Sequence, residues 1–425
     1  MCVAKVFQAL EGIYMELWLI ISIVYIIIMN IVGFASMGID KHRAKKHVWR
    51  IPEKTLFLIA ILGGSLGSLI GMQMFRHKTK HKQFIVGIPV ILCLQVCLLG
   101  LLYYHMDNKK TKKTGFAMGT VISSTVYGKD SDTVVEEIFD RLVELDTRQL
   151  SWREEGSSVA QWNQSLKQET AIPLSTEEQQ WLQTSLELCK SSDGALDITI
   201  HPVIEAWGIE GDSPKVPTEE EIQQALDMTG YDQLFIDENG ILYTEDNDLS
   251  IDLGSVGKGI AADRIRDYLD TQEVSGAIVS IGGTILVYGE KPGSREWQVG
   301  IQNPRGVQGT VLGMLSMKQS GVVSTSGDYE KYFIENGIRY HHIFNPSTGY
   351  PADSGLCSVT IVCEEGIISD GLSTACFILG YEKSLPLLEK YGAEGIFVTT
   401  DAQVYVTAGL RDAFELTSSD YTLKQ

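Results

Sequence analysis

Asp370 and Thr374 lie four residues apart in Ser369-Asp370-Gly371-Leu372-Ser373-Thr374-Ala375. If that stretch is helical, a carboxylate and a hydroxyl stack on one face. Such hard oxygen donors suit Mg²⁺, which completes its shell with water and substrate phosphates. The same spacing at a helix start also serves as a cap with a solvated hydroxyl, so the residues upstream must decide. Ile251-Asp252-Leu253-Gly254-Ser255-Val256-Gly257-Lys258-Gly259 joins a short strand to a helix. Its glycines let the backbone approach a ligand, the helix N-terminus favours an anion, and Lys258 adds positive charge. The order Gly-x-x-Gly-Lys-Gly fails P-loop spacing, which argues against an NTPase; the plain alternative is a tight turn with a solvated lysine.

Three further corners carry polar chemistry. Gly282-Gly283 separates two apolar strands, where a sharp bend is the simple explanation. Gly321–Tyr329 offers hydroxyls and amides suited to a phosphate or ribose, although turn chemistry would produce it too. His341-His342 precedes the turn Asn345-Pro346-Ser347-Thr348-Gly349, so one imidazole could face a site. The pair is too far from cysteine or other histidines for zinc.

These corners need a frame, and the chain divides sharply. Residues 1–113 hold 15 Lys/Arg and 5 Asp/Glu; the rest holds 20 and 49. So acidic a remainder argues against a nucleic-acid surface. Leu17–Ile39 runs 23 residues without a charge, long enough to cross a bilayer and too long for a signal-peptide core. Thr55–Phe75 is uncharged but broken by Gly63-Gly64, Gly67 and Gly71, and Phe84–Tyr104 is again long enough to cross. We expect a membrane module over 1–113 with two or three hydrophobic helices (about 17–39, 55–75 and 84–104), in contact with membrane lipid, then a second domain over 114–425.

Basic clusters at Lys41–Lys54, Arg76–Lys82 and Lys109–Lys113 leave two topologies open. Three full crossings put the large domain in the cytoplasm; a re-entrant middle segment puts it outside. The seven cysteines are scattered and form neither a disulfide framework nor a C-x-x-C site.

Beyond Lys113, strands are expected at Phe116–Tyr127, Gln233–Ile236, Ser250–Leu253, Ala277–Val287, Trp297–Ile301 and Leu356–Val362. Helices are expected near Val134–Leu145, Thr176–Cys189, Glu219–Met228, Lys258–Leu269 and Ile368–Leu379. Thr218-x-x-Glu221 reads as a capping box. Hairpins mixed with helices indicate an α+β fold, with room for two lobes.

The order of these motifs resembles the ApbE family, the FAD:protein FMN transferases, from about Phe116 to Thr407. Ala117-Met118-Gly119-Thr120, Gly194-Ala195-Leu196-Asp197-Ile198-Thr199 with Trp207-Gly208, and Asp252–Gly259 carry the likeness. It continues through Gly282-Gly283, Ser324–Tyr329, His342–Gly349 and Asp370–Thr374. The resemblance implies a two-lobed α/β catalytic domain that binds FAD as substrate with Mg²⁺. FMN would pass through its phosphate to a threonine or serine hydroxyl of a partner protein, releasing AMP. By the same resemblance Asp370 and Thr374 would hold the metal with an oxygen of Ser255, its backbone carbonyl. Met118, Trp152, Ala195, Leu196 and Asp197 would line the flavin and adenine pocket, and Asp252 and Lys258 would lie near the nucleotide. His342 would sit by the pyrophosphate; that it acts as general base toward the acceptor hydroxyl is our own expectation and not part of the resemblance. Thr284, where Asn or Asp is expected, and Trp152, where Tyr is frequent, depart from the pattern and bear on the flavin contacts.

Phosphoryl transfer needs positioning and charge neutralisation above all, which glycine amides and Lys258 suit. No G-x-G-x-x-G opens a βαβ unit, so the flavin reads as substrate and not as redox cofactor. Two other readings stay open: Mg²⁺-dependent FAD hydrolysis to FMN and AMP, and a non-enzymatic membrane flavin-binding protein. No Ser/Thr-Gly-Ala-Thr acceptor motif is evident, so the acceptor is expected to be a separate flavoprotein, a membrane redox subunit or an FMN-binding-domain protein. Within residues 34–82, Gly38–Lys41, Arg50–Lys54 and Phe75–Thr79 resemble a family of small uncharacterised bacterial membrane proteins. That implies a multi-pass protein of the bacterial membrane with its catalytic domain extracytoplasmic if the middle segment is re-entrant.

Overall fold

The computed structural model describes residues 2–107, 109–168, 170–211, 213–244, 248–293, 295–307 and 309–424. Its contacts gather the chain into two compact units that divide at Met106/Asp107.

In the first unit, Ile21–Lys45, Glu53–Met74 and Lys82–Leu101 are long and apolar enough to cross a membrane. The middle stretch is not one rod. Helix Glu53–Ile59 enters a π turn at Ala60–Gly64, where Gly63 takes φ +111°, and leaves as helix Ser65–Met74. A left-handed glycine cannot continue a helix, so the expected helix over 55–75 is two.

The two ends of this hairpin meet. Lys78 Nζ donates to Glu53 Oε1 at 2.5 Å. The fully buried Asp40 faces His77 Nε2 at 2.7 Å and accepts the Ile51 N–H at 2.9 Å. At the tip, the Asn30 amide donates to the Gly63 carbonyl (2.9 Å) and accepts from the Gly67 N–H (2.7 Å). Gln95 donates to the Ala60 and Ile61 carbonyls at 3.0 and 2.9 Å. Side-chain amides thus satisfy the backbone groups that the break exposes, the condition for irregular backbone away from water.

A nine-stranded sheet organises the second unit. Its order is Lys110–Ala117, Thr120–Tyr127, Gly276–Ile281, Thr284–Gly289, Gly321–Gly327, Leu356–Cys363, Glu394–Thr399, Gln403–Val406 and Thr422–Lys424. Neighbours are antiparallel except the last pair. Successive strand residues face opposite ways. Leu286, Val322 and Phe397 join a core with Ile138, Ile260 and Leu372 of helices Ser131–Leu145, Gly257–Leu269 and Gly366–Leu379. Their neighbours Val287, Val323 and Val398 join a second core with strands Trp297–Gln302, Val311–Met317 and Phe414–Leu416. This mixed helix and strand architecture is the expected α+β class.

Three strand expectations need correction. Phe116–Tyr127 is a hairpin whose turn residues, Met118 and Gly119, both have positive φ (+52° and +66°), the geometry that suits two-residue turns. Its first strand starts at Lys110, inside the stretch assigned to the membrane module. Ala277–Val287 likewise folds back at Gly282-Gly283. Ser250–Leu253 joins no ladder; the Asn163 side chain bonds both the Ile251 carbonyl and its N–H, at 2.9 and 2.7 Å. The Thr218–Glu221 capping box forms as expected.

Helices Gly257–Leu269 and Gly366–Leu379 touch backbone to backbone: a Cβ on Gly259 would lie 2.1 Å from the Gly366 carbonyl oxygen. Gly259→Ala is therefore expected to cost about 2–3 kcal/mol. Gly156→Ala, with no atom within 4 Å of the added carbon, should change stability by no more than about 0.5 kcal/mol. Urea unfolding in detergent, followed by tryptophan fluorescence, checks both; equal values would show that the helices part freely.

Candidate active site

A cleft of about 700 Å³ opens along one end of the sheet. Every site residue expected from sequence lines it: Met118, Trp152, Ala195, Leu196, Asp197, Asp252, Ser255, Lys258, His342, Asp370 and Thr374. The helix bearing Asp370 thus shares one cavity with the loop at Ser255.

Asp370 is only 4% exposed, yet its carboxylate is well supplied with donors. Oδ2 accepts the Gly259 N–H at 2.9 Å, Oδ1 accepts the Thr284 hydroxyl at 3.0 Å, and Lys258 Nζ stands 3.9 Å from Oδ1. Thr284 is fully buried and therefore acts on Asp370 from behind the cleft wall. One turn on, Thr374 Oγ1 lies 3.3 Å from Ser326 Oγ, which also meets Ser373 Oγ at 2.7 Å. The neighbouring helix is tied reciprocally: Asp263 accepts the Gly366 and Ile367 N–H groups at 2.7 and 2.9 Å. Burial outweighs these bonds and raises the Asp263 carboxyl above its ordinary range.

Asp370, Thr374 and the Ser255 backbone bring one carboxylate, one hydroxyl and one carbonyl to the cleft, with the Ser326 hydroxyl beside them. Among the described residues no group of three or more His, Cys, Asp or Glu side chains converges on a point. A set of few hard oxygens fits a Mg²⁺-type cation that keeps water and phosphate ligands, and does not fit a thiolate or imidazole centre.

Asp252 Oδ1 accepts the Gly254 N–H at 2.7 Å, shaping the turn before Ser255. Behind it His201 Nδ1 stands 3.7 Å from Asp252 Oδ2, and the His201 ring packs on Trp152 with centroids 4.2 Å apart. Asp197 turns its carboxylate into its own loop, accepting Thr199 N–H (2.7 Å) and hydroxyl (2.6 Å). Desolvation raises its pKa against those bonds. Its part is to fold the wall formed by Ala195 and Leu196.

Of the two adjacent histidines, His341 is buried and bonds the Ala352 carbonyl through Nε2 at 3.1 Å. His342 lines the cleft, and its Nδ1 donates to the Lys331 carbonyl at 3.2 Å. Desolvation, reinforced by the Lys331 charge, pushes the His342 imidazole down to about 4. It is neutral at pH 7, and since a carbonyl only accepts, the proton sits on Nδ1 and the lone pair on Nε2.

Sequence reasoning missed several supports. Asp146 Oδ2 accepts the Met118 N–H at 3.0 Å and so holds that left-handed residue in the cleft. Glu210 bridges Arg153 and Lys331 across the rim; burial alone would raise its carboxyl, but the two cations hold it below the usual value. Arg153 in turn lies over the Trp152 ring at 4.2 Å. No motif flags these residues; only Asp263 left a trace, because Gly259-x-x-x-Asp263 repeats the spacing of Gly366-x-x-x-Asp370.

Comparisons with known proteins agree with this geometry. Residues 118–397 match the ApbE family, and residues 30–84 match a family described as a protein of unknown function (DUF1294). The FAD:protein FMN transferase of Treponema pallidum is 29% identical over 359 residues, 80% of this chain and 98% of that protein. The protein of the same name from Haemophilus influenzae is 30% identical, covering 72% of this chain and 89% of its own length. The crystal structure of the ApbE protein from Thermotoga maritima superposes with a TM-score of 0.66 at 32% identity, covering 72% of this chain and 99% of that one. With its motifs gathered in one cleft and two thirds of its length matched, the chain belongs to the ApbE family.

Proposed function

We propose that this chain is a membrane-tethered FAD:protein FMN transferase that moves FMN from FAD to a threonine or serine hydroxyl of a partner protein and releases AMP. The observation that carries this reading is the meeting of Asp370, Thr374, Ser255, Lys258 and His342 in one cleft large enough for a dinucleotide. The comparisons support it through the activity for which the relatives are named.

Asp370, Thr374 and the Ser255 carbonyl would hold Mg²⁺, which when bound neutralises charge on the diphosphate. Lys258 would face the same phosphates, and the positive end of the helix Gly257–Leu269 dipole would favour their negative charge. Met118, Trp152, Ala195 and Leu196 enclose the flavin and adenine rings. Nε2 of neutral His342 takes the proton of the acceptor hydroxyl as its oxygen bonds the FMN phosphorus. The bond from that phosphorus to the AMP oxygen breaks, and AMP leaves as the phosphate. FAD hydrolysis is the same displacement with water as nucleophile; a bound acceptor that excludes water favours transfer.

The acceptor would be a flavoprotein subunit of a membrane redox complex or an FMN-binding-domain protein. For the membrane unit we propose two crossings around a re-entrant hairpin. The ion pair of Glu53 with Lys78 supports this, because it joins the two ends of the middle segment. The basic clusters 41–54 and 76–82 then share the cytoplasmic side, and the catalytic domain lies outside the cytoplasm.

Full-length protein incubated with FAD, MgCl₂ and an acceptor should yield flavin fluorescence that survives denaturing electrophoresis. EDTA should abolish it, and Asp370→Ala should lower the rate at least about 100-fold; an undiminished rate in EDTA would remove the metal from the scheme.

A base whose pKa is depressed works at all pH values above that pKa. The profile of kcat/KM should therefore stay flat through pH 6.5 and fall only toward pH 4, and His342→Asn should lose about 10²–10⁴-fold. An unchanged rate in the variant would take His342 out of this role.

Alkaline phosphatase fused after Lys113 should be active in cells, whereas fluorescence from a cytoplasm-dependent reporter at that position would overturn the re-entrant topology.

A further inference from the structure

A second cleft, of about 560 Å³, adjoins the first. One wall is the turn through Asp193 that follows helix Thr176–Ser191; the other is the end of helix Gly366–Leu379 and helix Tyr381–Tyr391, with Lys383 and Lys390. Ser347, from the turn beyond His342, contributes to the lining. Ala195 and Ile378 line both clefts, so the two share a wall. Ile378 follows Thr374 by four residues and Asp370 by eight, so the helix face that carries the site's oxygens runs on into the second cleft.

The far end is stapled shut. Lys390 Nζ meets Glu187 Oε1 at 2.7 Å and Ser191 Oγ at 2.5 Å, and Ser191 Oγ meets Tyr391 Oη at 2.9 Å. Lys383, by contrast, is exposed and pairs with no carboxylate among the described residues. Asp193 also lines the cleft and Glu187 pairs with Lys390, which leaves Lys383 as the cleft cation without a carboxylate partner among the described residues.

We propose that this cleft receives the acceptor protein: an extended segment next to the modified hydroxyl lies in it, with a carboxylate of that segment on Lys383. The inference rests on the transferase reading. With FAD filling the larger cleft, the acceptor hydroxyl needs a separate approach to the diphosphate. The second cleft lies beside the helix that carries Asp370 and Thr374, and it offers the Asn345 side-chain amide and the Ser347 hydroxyl to an extended backbone. Lys383 would supply charge recognition where the rest of the domain repels an acidic segment.

The test uses full-length protein in detergent, FAD, MgCl₂ and, as acceptor, a purified FMN-binding-domain protein with a Ser/Thr-Gly-Ala-Thr sequence. Lys383→Glu should raise KM for the acceptor tenfold or more. FAD affinity by flavin fluorescence, the unfolding midpoint and kcat at saturating acceptor should stay within twofold of the parent. Among lysine replacements of each acidic residue near the acceptor threonine, one should restore KM in Lys383→Glu and raise it in the parent, and failure of every one overturns the contact with Lys383. An unchanged acceptor KM in Lys383→Glu overturns the proposal while leaving the transferase reading intact, and so does a loss of FAD affinity, which would give the cleft to FAD. If the parent protein labels no acceptor although it binds FAD, the transferase reading falls and takes this proposal with it.

Discussion

The site depends on two helices that meet without side chains between them. Gly259 and Gly366 lie so close that a Cβ on either would strike the other's carbonyl, at 2.1 and 2.3 Å. That closeness lets each helix cap its neighbour. Asp263 accepts amides at the start of the second helix, and Asp370 accepts the Gly259 amide near the start of the first. The first-turn amides of a helix lack partners of their own and carry the positive end of its dipole, while a buried carboxylate needs donors to remain charged. Each requirement answers the other. The arrangement also puts Asp370 beside Lys258 and the turn at Ser255, residues that lie more than a hundred positions away in the chain.

The sheet does the rest by order. Strands Thr120–Tyr127, Gly276–Ile281, Thr284–Gly289 and Gly321–Gly327 are successive neighbours. The corners at Met118-Gly119 and Gly282-Gly283 therefore open on the same cleft as Thr325–Gly327. Thr284 begins its strand just past the glycine corner, which is why its hydroxyl can reach Asp370. Thr284 thus bears on how the Asp370 carboxylate is held.

Much of this was legible in the sequence, for identifiable reasons. Period and capping chemistry placed the helices, since Thr218 with Glu221 and the apolar stripe through Val134–Leu145 are local signals. The motif order placed the expected lining residues, because Met118, Ala195–Asp197 and Asp252–Lys258 sit at glycine-bearing corners, while Asp370 and Thr374 are spaced one turn apart on a helix. Local signals could not show that Phe116–Tyr127 and Ala277–Val287 each fold back on themselves. A non-glycine residue such as Met118 at φ +52° is held by a distant partner, Asp146. Nor could they show Asn163 standing in for a strand beside Ile251, or Glu210 joining Arg153 to Lys331. These are tertiary hydrogen bonds and ion pairs, with no periodicity to betray them. Glycines at Gly63 and Gly64 hinted at a broken middle helix, but only Asn30 and Gln95 explain how the break is tolerated.

The charges of the cleft bear on the order in which it would be filled. Asp370 and Lys258 lie 3.9 Å apart and come near to cancelling, and His342 is neutral at pH 7. Asp370 already shares its oxygens with the Gly259 amide and the Thr284 hydroxyl, so little negative charge remains to attract a divalent cation alone. A diphosphate brings the missing negative charge to the same place, next to Lys258 and the helix N-terminus. Under the proposed reading, dinucleotide and cation would each be held weakly without the other and firmly together. That coupling would follow if Asp370 were the one carboxylate to reach the cation, and a second acidic ligand in place of Thr374 would weaken it by letting the cation bind first.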